Sequence, residues 1–127
     1  MELLLVRHAL PVRRELTEGI ADPELAPDGH VQAARMAAYL ATEDIAAVYV
    51  SPLRRAKETA APLVKLLGIS PTVDDDISEF DRNSSEYVPV EELRGTNDPR
   101  WLRMMRGEWE EGHDDPNEFR KRVIAAF

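Results

Sequence analysis

Apolar residues along this chain fall into short unbroken runs separated by stretches with a helical period, an alternation that predicts an α/β protein. The first run, Leu3-Leu4-Leu5-Val6, has no polar interruption and predicts a strand buried on both faces, inside a parallel sheet covered by helices. Pro11 ends it. The run IAAVYV at 45–50 predicts a second buried strand, and residues 69–74 a short third. Between the first two, residues 27–41 read as a helix. Pro27 suits the first helical position, Asp28 favours the positive end of the helix dipole, and Val31, Ala34 and Ala38 with Met36 and Leu40 supply an apolar side. Ala26 is a poor cap for it. Ser51-Pro52 predicts the cap and first residue of a second helix over 53–67, with Leu53, Ala56, Ala60, Leu63, Val64 and Leu67 inward and Gly68 as the stop. Strand, helix, strand, helix with such short connections implies right-handed crossovers and a parallel sheet.

The remaining segments are less regular. Residues 12–27, punctuated by Gly19, Pro23 and Pro27, predict a long loop, and loops of that length are usually functional. Asp74-Asp75-Asp76 reads as a solvated turn rather than a hard-cation site, since no further oxygen ligand falls at a recognisable spacing. Short helices are expected at 90–94 and 99–106. Trp101, Met104, Met105 and Trp109 could line a pocket, although satellite core packing is the favoured reading. Residues 108–115 are acidic and expected to be exposed. Asp115, Pro116 and Glu118 predict a last helix start, and Phe119, Val123, Ile124 and Phe127 form a stripe that runs to the final residue. A helix with that face ordinarily packs on a sheet and leads to another strand. The expectation is therefore a single domain over 1–127 that lacks a final strand-helix portion and is incomplete at its C-terminus.

Composition narrows the chemistry. The 127 residues carry 43% hydrophobic and 31% charged side chains, an ordinary globular balance. A formal net charge of −8 argues against nucleic acid or an anionic membrane as partner, and no apolar run reaches the ~20 residues of a membrane span. Without cysteine there is no disulfide framework and no thiolate chemistry, which is compatible with a reducing compartment. A soluble cytoplasmic protein is expected. Positive charge is local: Arg7, Arg13 and Arg14 form one knot, and Arg54, Arg55 and Lys57 another. Ligands of open α/β sheets bind beyond the carboxyl ends of strands, where Arg7 and His8 fall after the first run and Arg55 after the second. Together they would make a small cationic site for a compact anion such as phosphate. A histidine at a strand end is, however, more often a hydrogen-bonded structural residue than a catalyst.

Three stretches in order, Leu5-Val6-Arg7-His8, then Leu25 with Gly29 and Gln32-Ala33, then Ser51-Pro52-Leu53 with Arg55-Ala56 and Thr59-Ala60, resemble the histidine phosphatase superfamily, also called phosphoglycerate-mutase-like. The resemblance covers essentially the whole chain. It implies a three-layer sandwich, a mostly parallel sheet flanked by helices, and phosphoryl transfer through a phosphohistidine with no metal and no organic cofactor. In that scheme His8 is the nucleophile through a neutral ring nitrogen, with its other nitrogen tied to a backbone carbonyl. Arg7 and Arg55 hold phosphoryl oxygens bidentately, so lysine is a poor substitute for either. Glu79, in Ile77-Ser78-Glu79, corresponds to the acid that protonates the leaving group.

Several positions depart from the pattern. The usual Arg-His-Gly is Arg7-His8-Ala9, and the usual Leu-Thr helix start is Leu25-Ala26. Arg14 stands where many members carry Asn, either as a further phosphate ligand or as a solvent-facing cation. His30 reads as a surface residue. The second active-site histidine of the family has no counterpart: only His113 follows His30, in an acidic loop with no strand before it. The 127 residues alone are accordingly expected to be weakly active or inactive. The leading function is phosphomonoester hydrolysis of a small phosphorylated substrate. Phosphoglycerate-mutase-type transfer is one alternative, set back by Arg13-Arg14 where mutases carry Trp-Asn, while Asp22-Pro23-Glu24-Leu25 looks more like the phosphatase branch. A non-catalytic phospho-ligand-binding protein is the other, motivated by Ala9 and the missing histidine. The physiological substrate is not legible, and oligomeric state is open, a homodimer included.

Overall fold

The computed structural model describes residues 2–108 and 112–127, and its principal packing is between two helices, α1 (Pro27–Leu40) and α2 (Arg54–Leu67). Helix α1 starts with Pro27 at its first turn and Ala26 as a cap that makes no side-chain hydrogen bond. Its buried stripe is Gly29, Ala33 and Ala37, one residue every turn. The expected face does not hold: Val31, Ala34 and Ala38 are exposed. The reason is a close approach. A Cβ at Gly29 would lie 2.0 Å from the Leu10 carbonyl oxygen, so the chain after His8 presses on the helix where only hydrogen fits, and that contact selects the face.

Helix α2 buries Arg55, Thr59 and Leu63 and closes at Gly68 with φ 66°, as a C-terminal glycine should. Its start differs from expectation. Ser51 is not the cap; Leu53 occupies that position without a side-chain bond, and the free Arg54 N–H donates instead to Asp22 Oδ1 at 2.8 Å, from the loop before α1. Glu58 extends this tie by accepting from the Leu25 N–H at 2.7 Å while its other oxygen pairs with Arg54. The loop over 12–27 is thus fixed to α2. It also carries a bridge between Pro11 and Leu25, and a strand the pattern did not indicate, β1 (Arg14–Glu15).

The strands are short. β2 (Tyr49–Val50) pairs in parallel with β3 (Thr72–Val73), as the strand-helix-strand order implies, whereas β1 pairs antiparallel with β4 (Glu86–Tyr87). Among the described residues these are two separate two-stranded ladders. The run Leu3–Val6 forms no ladder, and its residues are 46–78% exposed. A strand buried on both faces needs a neighbour on its edge and cover on each side; among the described residues nothing supplies them, and β2 and β3 satisfy each other. Tyr49 and Val73 are exposed for the same reason.

Beyond β3 a 3-10 turn (Asp75–Ile77) is capped by Asp74, followed by β4, α3 (Val90–Gly95), α4 (Pro99–Met105) and α5 (Pro116–Ala126). Asp98 caps α4 and Asp115 caps α5, each accepting backbone N–H groups of the first turn. From α5, Arg122 donates to the carbonyls of Asp75, Asp76 and Ser78 and pairs with Asp114 at 2.6 Å. Asp114 is therefore largely buried, against the expectation of an exposed acidic stretch. Ile124 and Phe127 are exposed, so the stripe on α5 is covered only in part. Trp101 is half-buried, Met104 lines a cavity and Met105 is exposed, while Trp109 lies outside the described residues.

Two substitutions check this packing. Gly29→Ala should destabilise the fold by roughly 1 to 3 kcal/mol through overpacking against a backbone atom, and Asp22→Ala by about 1 kcal/mol through loss of the helix cap. Denaturant unfolding of both variants measures these; a Gly29→Ala protein as stable as the parent would disprove the close approach.

Candidate functional site

Three backbone ties bring His8 to the helices. The Ala9 N–H donates to Thr59 Oγ1 on α2 at 2.9 Å, the Leu10 N–H donates to Gln32 Oε1 on α1 at 2.9 Å, and the Ala26 N–H returns to the Leu10 carbonyl. Ala9 is buried, so the methyl that replaces the usual glycine is accommodated. Thr59 Oγ1 in turn donates to the Arg55 carbonyl one turn earlier at 2.7 Å. A single hydroxyl thus links the backbone beside His8 to the residue that carries the Arg55 guanidinium.

The His8 side chain is 6% exposed. Its Nδ1 lies 2.8 Å from the Ala9 carbonyl oxygen, an atom that can only accept, so the Nδ1 proton is held there. Nε2 is turned outward to Glu79 Oε1 at 3.3 Å, with the Tyr87 hydroxyl at 3.5 Å. Glu79 reaches the same point from the opposite side: its other oxygen accepts from Arg55 Nη2 at 2.8 Å. Histidine and guanidinium, distant in sequence, therefore meet at one carboxyl group. A hydrogen bond between Nε2 and Glu79 requires one shared proton, carried on either partner.

Arg55 is 1% exposed in its side chain, and its charge is balanced twice, since Nη2 also donates to Asp81 Oδ1 at 2.7 Å. Burial works against the Arg55 charge, but Asp81 and Glu79 more than offset it. Burial likewise works to raise the Glu79 carboxyl. The hydrogen bond and charge of His8, then Arg55, outweigh it and hold Glu79 at about 2 against an ordinary 4.5. Asp81 moves the other way, raised by burial and by the neighbouring Glu79 charge despite Arg55. Two carboxyls on one guanidinium are thus pushed in opposite directions.

The other expected residues stand further out. Arg7 is exposed and pairs with Glu91 at 3.3 Å. Arg14 pairs with Glu24 at 2.6 Å; because Arg14 and Tyr87 are directly opposite in the β1–β4 ladder, their side chains share one face of it. Arg13 pairs with Glu15 and Glu92, and Arg54 with Glu24 and Glu58. The expected cationic site is therefore corrected to a charge-balanced one, in which each of these arginines already has a carboxylate. The acidic surplus of 24 Asp and Glu over 16 Lys and Arg makes that outcome natural. His30 is on the surface, 3.9 Å from Glu58. His113 stacks edge-on against Phe80 with ring centroids 5.0 Å apart and lines a cavity of about 220 Å³ together with Asp81, Tyr87, Leu93, Arg100 and Met104.

Two residues in contact with the site escaped the sequence reading, Asp81 and Tyr87. Asp81 carried no signal of period, because it reaches Arg55 through a turn that the Arg82 N–H closes on the Glu79 carbonyl at 3.2 Å. Tyr87 carried none, because the register of β1 on β4 brings it in.

The family model for the histidine phosphatase superfamily (branch 1) matches residues 3–127. A phosphoserine phosphatase 1 of Hydrogenobacter thermophilus is 34% identical over 97 residues, which cover 73% of this chain and 45% of that protein. A protein of Mycobacterium tuberculosis described as bifunctional is 38% identical over 110 residues, covering 79% of this chain and 29% of its own. Among solved structures, a Thermus thermophilus protein superposes with a TM-score of 0.62 at 28% identity, over 95% of this chain and 68% of that one. A mycobacterial glucosyl-3-phosphoglycerate phosphatase gives 0.70 at 22% identity, over 94% and 61%, a likeness of fold. The chain spans less than half the length of those two curated relatives. A match along nearly every residue shows that this chain belongs to the histidine phosphatase superfamily, branch 1.

Proposed function

We propose that the protein hydrolyses a small phosphomonoester through a phosphohistidine on His8. The observation that carries this reading is the orientation of the imidazole: Nδ1 tied to a backbone carbonyl at 2.8 Å, Nε2 facing a carboxyl that a buried guanidinium also holds. Glu79, ionised at rest, takes the shared proton as the phosphate dianion enters and turns to the leaving oxygen, which frees the Nε2 lone pair. Nε2 attacks phosphorus, the phosphorus–oxygen ester bond breaks, and Glu79 gives its proton to the departing alkoxide. A water then attacks the phosphohistidine while Glu79 takes up a proton, releasing inorganic phosphate and restoring His8.

Arg55 holds Glu79 and, with Arg7 and Arg14, is assigned to the phosphoryl oxygens. Each binds phosphate by exchanging a carboxylate for it, so an incoming dianion competes with Glu91 and Glu24. The scheme uses no metal and no organic cofactor. The parallel β2–β3 pair and the likeness to solved structures support placing these elements in a three-layer sandwich with a mostly parallel sheet. The lack of cysteine supports a cytoplasmic setting.

Incubation with a labelled phosphomonoester should give an acid-labile, base-stable phosphoenzyme that His8→Ala abolishes; phosphate-analogue binding without any such adduct would refute the scheme. Glu79→Gln should lower turnover by about 10² to 10⁴, and Arg55→Lys by roughly 10² to 10³. The Glu79 carboxyl also predicts a pH effect on stability. Its value is lower when folded, so its contribution is complete above its ordinary 4.5 and lost as the pH falls toward 2. Thermal unfolding followed across that range should show a smaller acid loss in Glu79→Gln than in the parent.

A further inference from the structure

We infer that Tyr87 is a positioning residue, whose ring sets the plane of the Arg55 guanidinium and whose hydroxyl steadies the attacking nitrogen of His8; this rests on the reading of His8 as the nucleophile. The need for such a residue comes from how Arg55 is held. Both of its carboxylate bonds fall on one terminal nitrogen, Nη2, and Nε is buried without a hydrogen-bond partner among the described residues. Bonds to a single nitrogen leave the Nε edge of the guanidinium without a polar anchor. The missing restraint is a face. Arg55 Cζ lies 4.5 Å from the centroid of the Tyr87 ring, within the range of a cation over an aromatic surface.

The same side chain meets His8. The two rings are 6.0 Å apart at 66°, an edge-on contact, and the Tyr87 hydroxyl is 3.5 Å from Nε2. Tyr87 is 8% exposed and has no freedom to move away, because β4 is registered against β1 and Arg100, beside it in the cavity, is paired with Glu86 at 3.1 Å. Burial, reinforced by the Glu79 charge, pushes the phenol up, so the hydroxyl keeps its proton and can steady the ring through Nε2 until that nitrogen attacks. When Glu79 turns to the leaving group, Arg55 loses a partner while Nε2 bonds to phosphorus. Tyr87 touches each of them and does not take part in the proton transfer, so it preserves their relation during that step.

Tyr87→Phe and Tyr87→Leu, made in the full chain, separate the two contributions. Three readouts are needed: kcat and KM on p-nitrophenyl phosphate, affinity for inorganic phosphate by calorimetry, and the His8 ring ¹⁵N resonances, assigned by their loss in His8→Asn. Tyr87→Phe keeps the ring, so phosphate affinity should stay within about twofold while the Nε2 resonance shifts and kcat falls about tenfold. Tyr87→Leu should in addition weaken phosphate binding by about tenfold. If Tyr87→Leu binds phosphate as the parent does and leaves Nε2 unshifted, the inference is wrong. Should that variant fail to fold, the Nε2 resonance in Tyr87→Phe decides, an unchanged shift overturning the proposal. Failure of the catalytic reading looks different: His8→Asn would then leave turnover intact, whereas the ¹⁵N shift still reports whether Tyr87 holds the ring.

Discussion

A guanidinium sealed from water is the constraint from which the arrangement of this chain follows. Arg55 cannot shed its charge, and an unpaired buried cation would cost more than a domain of this size can bear. Two carboxylates must therefore be delivered to it, and both come from one short segment, Glu79 and Asp81. That requirement determines where the chain goes after β3. It also explains why the turn before Glu79 is fastened by Arg122 through three carbonyls, since a loosely held segment could not satisfy Arg55.

The same balance shapes how the site can behave. Its arginines are not a bare positive funnel waiting for an anion, because each is matched to an acidic neighbour on the free surface. Binding of phosphate is then an exchange of partners, and weak monoanions gain little from it. A dianion with oxygens in a tetrahedral fan gains more, because it can engage planar guanidinium groups two bonds at a time.

What was legible in the sequence was punctuation and order. Pro27, Gly68, Asp115 and Pro116 mark helix ends by local chemistry, and the structure places the ends within a residue or so of them. His8 and Arg55 could be brought together because each follows a recognisable apolar run, whereas Glu79 came only through the family resemblance. What failed needed knowledge of neighbours. The buried face of α1 was decided by the Leu10 carbonyl pressing on Gly29, a contact no periodicity reveals. Leu3–Val6 has the composition of an interior strand, but burial belongs to the surroundings and not to the run itself. Asp22 capping α2 across a gap of 32 residues, and Tyr87 arriving through β-ladder register, are likewise properties of the folded chain.

Arg122 carries an implication of its own. The carbonyls it gathers precede the catalytic carboxylate, yet the helix that bears it packs with an incompletely covered stripe, Ile124 and Phe127 lying open to solvent. Partial opening of such a helix takes less free energy than global unfolding. A fluctuation that frayed α5 would slacken the turn, and with it the grip on the acid, long before the α1–α2 pair came apart. The order of the proposed active centre is thereby tied to a thinly protected helix, so order at that centre and overall foldedness need not rise and fall together.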